Sequence, residues 1–223
     1  MQLLPQYKHH INPKLKHIYL SFDEEGVLMI KSPKVSNKKI EEILLRKAAW
    51  ITRARKKIQE KKGKALNFDR PLELYYLGEA YRLQLIAHEK KKTYLSFEHN
   101  IFSIYYSLYD EKKFQQLIER FYKEEAQTII PELVETWAET MSLSYTALKF
   151  RKTKRQWGSC SGQNHLSFNT MMMKLPKSVI QYIIIHELAH IKHKHHQKSF
   201  WQLVARYLPE YKTQITILKT FTT

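Results

Sequence analysis

Residues 176–196 read PKSVIQYIIIHELAHIKHKHH, and the rest of the chain is read outward from this run. Val179, Ile180, Ile183 and Ile184 recur at helical spacing behind Pro176, a residue suited to a helix's first turn because its missing N–H would have no partner there. That helix carries His186-Glu187-Leu188-Ala189-His190. Two histidines four residues apart stand one turn above the other, so both imidazoles can reach one metal ion. Glu187 projects beside them and can take a proton from a water on that ion. With 11 histidines in 223 residues, an HExxH run arises by accident about 4% of the time. The motif therefore needs a third ligand to carry weight, and hydrolytic zinc sites use three protein ligands with the fourth position left for water.

His193, His195 and His196 follow closely. His193 lies seven residues beyond His186, about 10 Å along the axis at 1.5 Å per residue, so it shares the face but sits a turn past the metal. His196 leaves room for the helix to stop near Lys194 and the chain to fold back. The resulting HExxHxxxxxH spacing is the one the metzincin signature uses, and it lowers the accidental expectation to about 0.2%. Metzincins place a glycine where this chain has His193, so a different turn geometry is expected here. Glu210, twenty residues after His190, is a rival third ligand of the two-His, one-Glu kind. It also suits the start of a last helix after Pro209, where the dipole favours an acid. His196 is preferred because the density of the histidine cluster is otherwise unexplained.

Upstream the pattern changes. Between His17 and Tyr109 apolar residues alternate: Ile18, Leu20 and Phe22 lead through Asp23-Glu24-Glu25-Gly26 to Leu28 and Ile30, a hairpin signal. Further strands are expected at Glu73 to Leu77, Ala80 to Ala87, Thr93 to Phe97 and Ile101 to Leu108, separated by Leu77-Gly78-Glu79 and Glu98-His99-Asn100. One helix interrupts them, over 37–62, with Ile40, Ile43, Leu44, Ala48, Ile51 and Ile58 at helical spacing and Gly63 as its stop. Asp110 reads as the N-cap of a second helix with Phe114, Leu117, Ile118 and Phe121 on one face, and Pro131 predicts a break or kink. Strands are then expected at Leu148 to Arg151 and His165 to Met172, around the turn-rich Trp157-Gly158-Ser159-Cys160-Ser161-Gly162. The expected fold is α+β: a β-rich part over 1–109 containing the basic helix, then a helical and catalytic part over 110–223, either as two domains or as one continuous domain.

Composition bounds the partners. Thirty-eight Lys and Arg against 21 Asp and Glu give a net charge of +17, while 43% hydrophobic residues are enough to fill a core, against disorder. Cys160 is the single cysteine, which excludes an internal disulfide and a Cys-only zinc site. No apolar run approaches the roughly 18 residues of a membrane span, and the start lacks a signal peptide's apolar stretch, so the expected compartment is the cytoplasm with no membrane partner. From Arg46 to Lys64 nine bases face one acid, Glu60. Such a run attracts polyanions, nucleic acid or acidic lipid, although a well-solvated helix face accounts for it as well.

The run Lys154-Arg155-Gln156-Trp157-Gly158-Ser159-Cys160-Ser161, with Leu166-Ser167-Phe168-Asn169, Leu175-Pro176, HELAH, His196, Phe200-Trp201 and Pro209-Glu210-Tyr211, resembles the YgjP-like metallopeptidase family. The IKSPK segment, Ala49-Trp50-Ile51 and Leu77-Gly78-Glu79 extend the likeness over nearly the whole chain. Gln156 and His195 stand where the family more often has other polar residues. The resemblance implies a zincin-like domain with zinc (Zn2+) held by His186, His190 and His196, and Glu187 as base. Relatives implied by it include SprT-like proteases, some of which act on proteins attached to DNA.

In such a site zinc polarises a scissile carbonyl and its water, Glu187 accepts the proton, and the hydroxide attacks. Extended substrate is expected along His165 to Met172 if that strand is an edge, and no such role if it is interior. Arg155, Asn169, His193, His195 and Tyr211 are the polar residues available to stabilise an oxyanion. Cys160 with His165 is a weaker, thiol-based alternative. Phe200, Trp201, Leu203, Val204, Tyr207 and Leu208 are read as packing beneath the site. Three functions compete: a zinc peptidase acting on protein or peptide; a metal-dependent hydrolase of nucleotides or phosphoesters; and a non-enzymatic nucleic-acid-binding protein with a structural metal. Glu187 argues against the last, since a closed structural site has no use for it.

Overall fold

The computed structural model describes residues 5–23, 26–59, 66, 68 and 72–222. The chain divides into two compact units, Met1–Lys61 and Lys62–Thr223.

In the first unit, strands β1 (Tyr7–Ile11), β2 (Tyr19–Phe22) and β3 (Leu28–Ser32) form a sheet of order β1-β3-β2. β2 and β3 are the expected hairpin, paired antiparallel from Leu20 against Ile30 to Phe22 against Leu28. Of its turn, Glu24 and Glu25 lie outside the described residues. β1 joins β3 in parallel. Its sequence, YKHHI, shows no apolar alternation, so it left no strand signal. The expected single helix is two: α1 (Asn37–Arg46) and α2 (Ala48–Gln59). Lys47 leaves helical geometry at φ −99°, ψ 7°, and a lysine gives no warning of that. Ser36 caps α1 by accepting the Lys39 N–H. Ile40, Leu44 and Ile51 reach one small core with Leu28 and Ile30. The stop expected at Gly63 lies outside the described residues.

The second unit holds strands β4 (Leu72–Tyr76), β5 (Glu79–Ala87), β6 (Tyr94–Glu98) and β7 (Ile101–Tyr106) in the order β4-β5-β7-β6. Two-residue loops close both hairpins, Leu77-Gly78 and His99-Asn100, and all four residues have positive φ, the geometry whose twist matches paired strands. α3 (Glu111–Met141) follows with Asp110 as N-cap, its carboxylate accepting the Lys113 N–H at 3.0 Å. Every fourth residue, from Phe114 through Ile118, Tyr122, Ala126, Ile130 and Val134 to Ala138, is buried. Pro131 does not end this helix: its ring is accommodated, and the carbonyl left without a partner belongs to Gln127 on the exposed side.

Next come β8 (Ala147–Arg151), β9 (Gly158–Cys160) and β10 (His165–Asn169), then a 3-10 helix over Thr170–Lys174 and α4 (Lys177–Lys192), α5 (Lys198–Tyr207) and α6 (Tyr211–Leu218). β10 is the middle strand, parallel to β8 and antiparallel to β9. It is interior rather than an edge, and it stops at Asn169 instead of reaching Met172. Asn169 turns the chain there: its side-chain oxygen accepts the Met171 N–H, and Met171, Met172 and Met173 are then buried in the 3-10 helix.

The fold is α+β, but the break expected at 109/110 is not where the units divide. The β4–β5 loop is clamped to the entry of α4: Leu77 N–H donates to Met173 O at 2.8 Å and Gly78 N–H to Lys174 O at 3.2 Å. A Cβ on Gly78 would come within 2.8 Å of the Pro176 ring. Leu72, Leu74, Leu83, Phe102 and Ile104 share one core with α3 and α4. Strands 72–106 therefore belong with α4, which alternation alone could not reveal.

Candidate metal centre

α4 is buried nearly all round, with Val179, Ile180, Ile183, Ile184, Ile185, Leu188 and Ala189 in the core. It is apolar enough to be held rigidly, so the side chains it presents are fixed in place. The helix ends at Lys192, and His193 follows in extended geometry, φ −127°, ψ 100°. No left-handed residue is needed at this turn, which explains how histidine stands where metzincins have glycine. Lys194 ties the returning chain to the β9–β10 turn through Asn164 Oδ1 at 2.7 Å and Ser161 O at 3.2 Å.

This return brings His196 onto the HExxH face. One ring nitrogen from each of His186, His190 and His196 lies within 4.8 Å of the others, and the Nε2 atoms of His186 and His196 are 3.0 Å apart. Glu210 is exposed at the N-cap of α6 and stands outside this group. His193 contributes through its backbone: His190 Nδ1 lies 3.0 Å from the His193 carbonyl, which fixes the proton on Nδ1 and turns the Nε2 lone pair toward the cluster. Tyr182, one turn before His186, places its hydroxyl 3.4 Å from His186 Nδ1. Phe200, fully buried, forms the floor, its ring centroid 4.6 to 4.9 Å from all three imidazoles. Trp201 stacks on His196 at 5.6 Å on one side and on Tyr211 at 5.2 Å on the other.

The electrostatics favour the neutral form of the two helix histidines, His186 and His190. Burial, reinforced by His190 and His196, pushes His186 down to about 3. Burial likewise lowers His190, against the opposing hydrogen bond to His193. Neutral imidazoles with converging lone pairs are what a borderline cation such as zinc requires, so the donor set fits a metal ion. Glu187 is buried, and loss of solvation raises its carboxyl to about 8.

Gly158 is a residue whose role the sequence concealed. It reads as a turn glycine, yet it lies in β9, and what it needs is space: a Cβ there would come 2.7 Å from Glu187 Cγ and 2.8 Å from Oε1. Asn169 is occupied elsewhere, its amide donating to Thr153 O, Thr153 Oγ1 and Gln156 O, so it orders the 153–157 loop. Arg155 and His195 are exposed. Burial raises the Cys160 thiol, and its Sγ lies 3.6 Å from the Ser161 carbonyl, the reverse of an activated thiolate. Trp157 is half-buried against the core.

The family model for the YgjP-like metallopeptidase domain matches residues 16–221. A UTP pyrophosphatase of Escherichia coli (strain K12) is 34% identical over 56 residues, 25% of this chain and 34% of that protein, so the match spans about a third of the curated relative. Among solved structures, the metallopeptidase zymogen abylysin of Pyrococcus abyssi aligns over 43% of this chain and 100% of its own, at 24% identity and a TM-score of 0.37. The metallopeptidase zymogen jannalysin of Methanocaldococcus jannaschii aligns over 39% and 93%, at 22% identity and a TM-score of 0.35. No helix among the described residues is long and apolar enough to cross a membrane.

Proposed function

The chain belongs to the YgjP-like metallopeptidase family, and from that premise we propose that it is a zinc peptidase in which His186, His190 and His196 hold the ion and Glu187 is the general base. One observation carries this reading: three imidazoles converge while a buried carboxyl, which a closed structural site would not need, sits on the helix that supplies two of them. When bound, the metal supplies Lewis acidity to the scissile carbonyl. Glu187 takes the proton from the attacking water and returns it to the departing amine. Phe200 and Trp201 keep the imidazoles oriented and bulk water away from their buried side. With β10 interior, the sheet's edges are β8 and β9, and the one suited to an extended substrate is β9, whose Gly158 lies against Glu187.

Purified protein is expected to contain about one zinc per chain, and Glu187→Gln to keep it while losing peptide turnover by about 10³-fold. Undiminished peptide cleavage by Glu187→Gln, or the absence of stoichiometric metal at neutral pH, would refute the reading. A second reading rests on the Escherichia coli relative, a UTP pyrophosphatase. The same metal and base could direct water at phosphorus. Nucleoside triphosphates and a peptide library, assayed side by side with Glu187→Gln as the blank, separate the two.

A further inference from the structure

The first unit carries a surface with no part in the chemistry above. α2 reads AAWITRARKKIQ and contains four cations and no acid. Its apolar side is used internally, with Ile51 4% exposed in the small core of this unit. Trp50, Arg53 and Lys57, at positions i, i+3 and i+7, share the opposite face and are all exposed, Trp50 at 39%. Phe22 supports the indole from below, with ring centroids 5.9 Å apart. Among the described residues neither Arg53 nor Lys57 pairs with an acid, and the acids of the neighbouring helix, Glu41 and Glu42, lie in α1, where Glu42 already meets Lys39 at 3.4 Å. Arg46 and Lys47, both exposed, extend the basic face to the junction of the two helices.

We propose that this face of α2 binds single-stranded nucleic acid, with Arg53 and Lys57 on the phosphates and Trp50 as a stacking platform for a base. A row of cations interrupted by one exposed indole suits a chain of phosphates with unpaired bases, because every base offers a π-face and none needs to be read by its edge. A membrane surface fits less well. Helices that lie in a bilayer interface bury an apolar stripe in it, and the apolar stripe of α2 is already taken up by the unit's own core.

The test is fluorescence anisotropy of a labelled 20-nucleotide oligothymidylate with the full chain, titrated with salt. Binding is expected at low ionic strength, weakening with a log–log slope of about −0.7 per phosphate contact. The double variant Arg53→Glu, Lys57→Glu is expected to weaken binding by at least about 10-fold and flatten the slope. Trp50→Ala is expected to weaken it about 5- to 100-fold with the slope unchanged, the signature of lost stacking. Should the double reversal unfold the chain, Arg53→Gln with Lys57→Gln tests the same point with less disturbance, and the metal content of each variant reports that the second unit is intact. No binding at low salt, a salt-independent affinity, equal affinity in the charge variants, or tighter binding to phosphatidylserine vesicles than to the oligonucleotide would each overturn the proposal.

Discussion

Gly158 and Glu187 meet as backbone against carboxylate: the place where a Cβ of residue 158 would sit is 2.7 Å from Glu187 Cγ and 3.0 Å from Cδ. The strand edge thus presses on the acid side chain directly, and the acid is held between β9 and its own helix. Its conformational freedom is removed by packing, which suits the proposed role of handing a proton over at one fixed point.

Gly158→Ala is therefore expected to push Glu187 out of position while leaving the three histidines untouched. Turnover should fall about 100-fold, the cost of displacing a catalytic group by roughly an ångström. Metal content should stay near one ion per chain. Paired zinc analysis and steady-state kinetics check this, and full activity in Gly158→Ala would show that Glu187 is not held by this contact.

The choice of third ligand is open to direct measurement. His196→Ala is expected to lose stoichiometric zinc, whereas Glu210→Ala, altering an exposed side chain outside the histidine group, should retain it. Mass spectrometry of metal content after extensive dialysis reads the difference. The reverse pattern would mean that α6 moves to supply the ligand.

Trp201 covers one face of the His196 imidazole and is itself backed by Tyr211. Trp201→Ala should free His196 and weaken zinc binding about 10-fold, the usual cost of losing a group that orients a ligand. Trp201→Phe should restore part of it. Competition against a fluorescent chelator measures both, and an unchanged affinity in Trp201→Ala would reduce the stacking to packing alone.

Lys174 offers a pH test away from the metal. Burial, with repulsion from Lys152 and against the opposing pull of Glu119, lowers it from 10.5 to about 8 in the folded chain. Between those values the unfolded chain binds the proton and the folded chain does not, so stability from this group rises with pH above about 8. Below pH 8 the full penalty of a buried charge is present. Relative to Lys174→Met, the wild type should gain up to about 2 kcal/mol between pH 8 and 10. The window ends there because the buried phenols of Tyr122 and Tyr182, both raised by burial, cost stability at higher pH. Urea denaturation of both proteins across this range checks the slope, and parallel curves would show that Lys174 is charged throughout.

Much of the local structure could be read without coordinates, because it rests on short-range rules. The Asp110 cap, the β2–β3 hairpin, the positions of the β4–β5 and β6–β7 turns and the HExxH helix each announce themselves within a few residues. Other features left no such mark. β1 is a strand because β3 offers it a parallel edge, although its own residues do not alternate. Pro131 stays inside α3, in a helix whose Ile130 and Val134 are held in the core on either side of it. Lys47 separates α1 from α2 with no breaker residue.

The sequence by itself determined which residues are candidates for metal chemistry. Residue order and helix pitch put His186, Glu187 and His190 on one helix, and the chain beyond it offered His196 or Glu210 as a third ligand. Tertiary structure decided what surrounds them: that β10 is interior and β9 an edge, that the His193 carbonyl orients His190, that Phe200 floors the cluster, and that Gly158 is a glycine for Glu187's sake. It also decided that strands 72–106 belong with the HExxH helix, through the clamp of Leu77 and Gly78 on Met173 and Lys174. The physical reason is range. Helix pitch and turn geometry act over a few residues and are written in local order, whereas strand pairing and close packing join residues dozens of positions apart and exist only once the chain has folded.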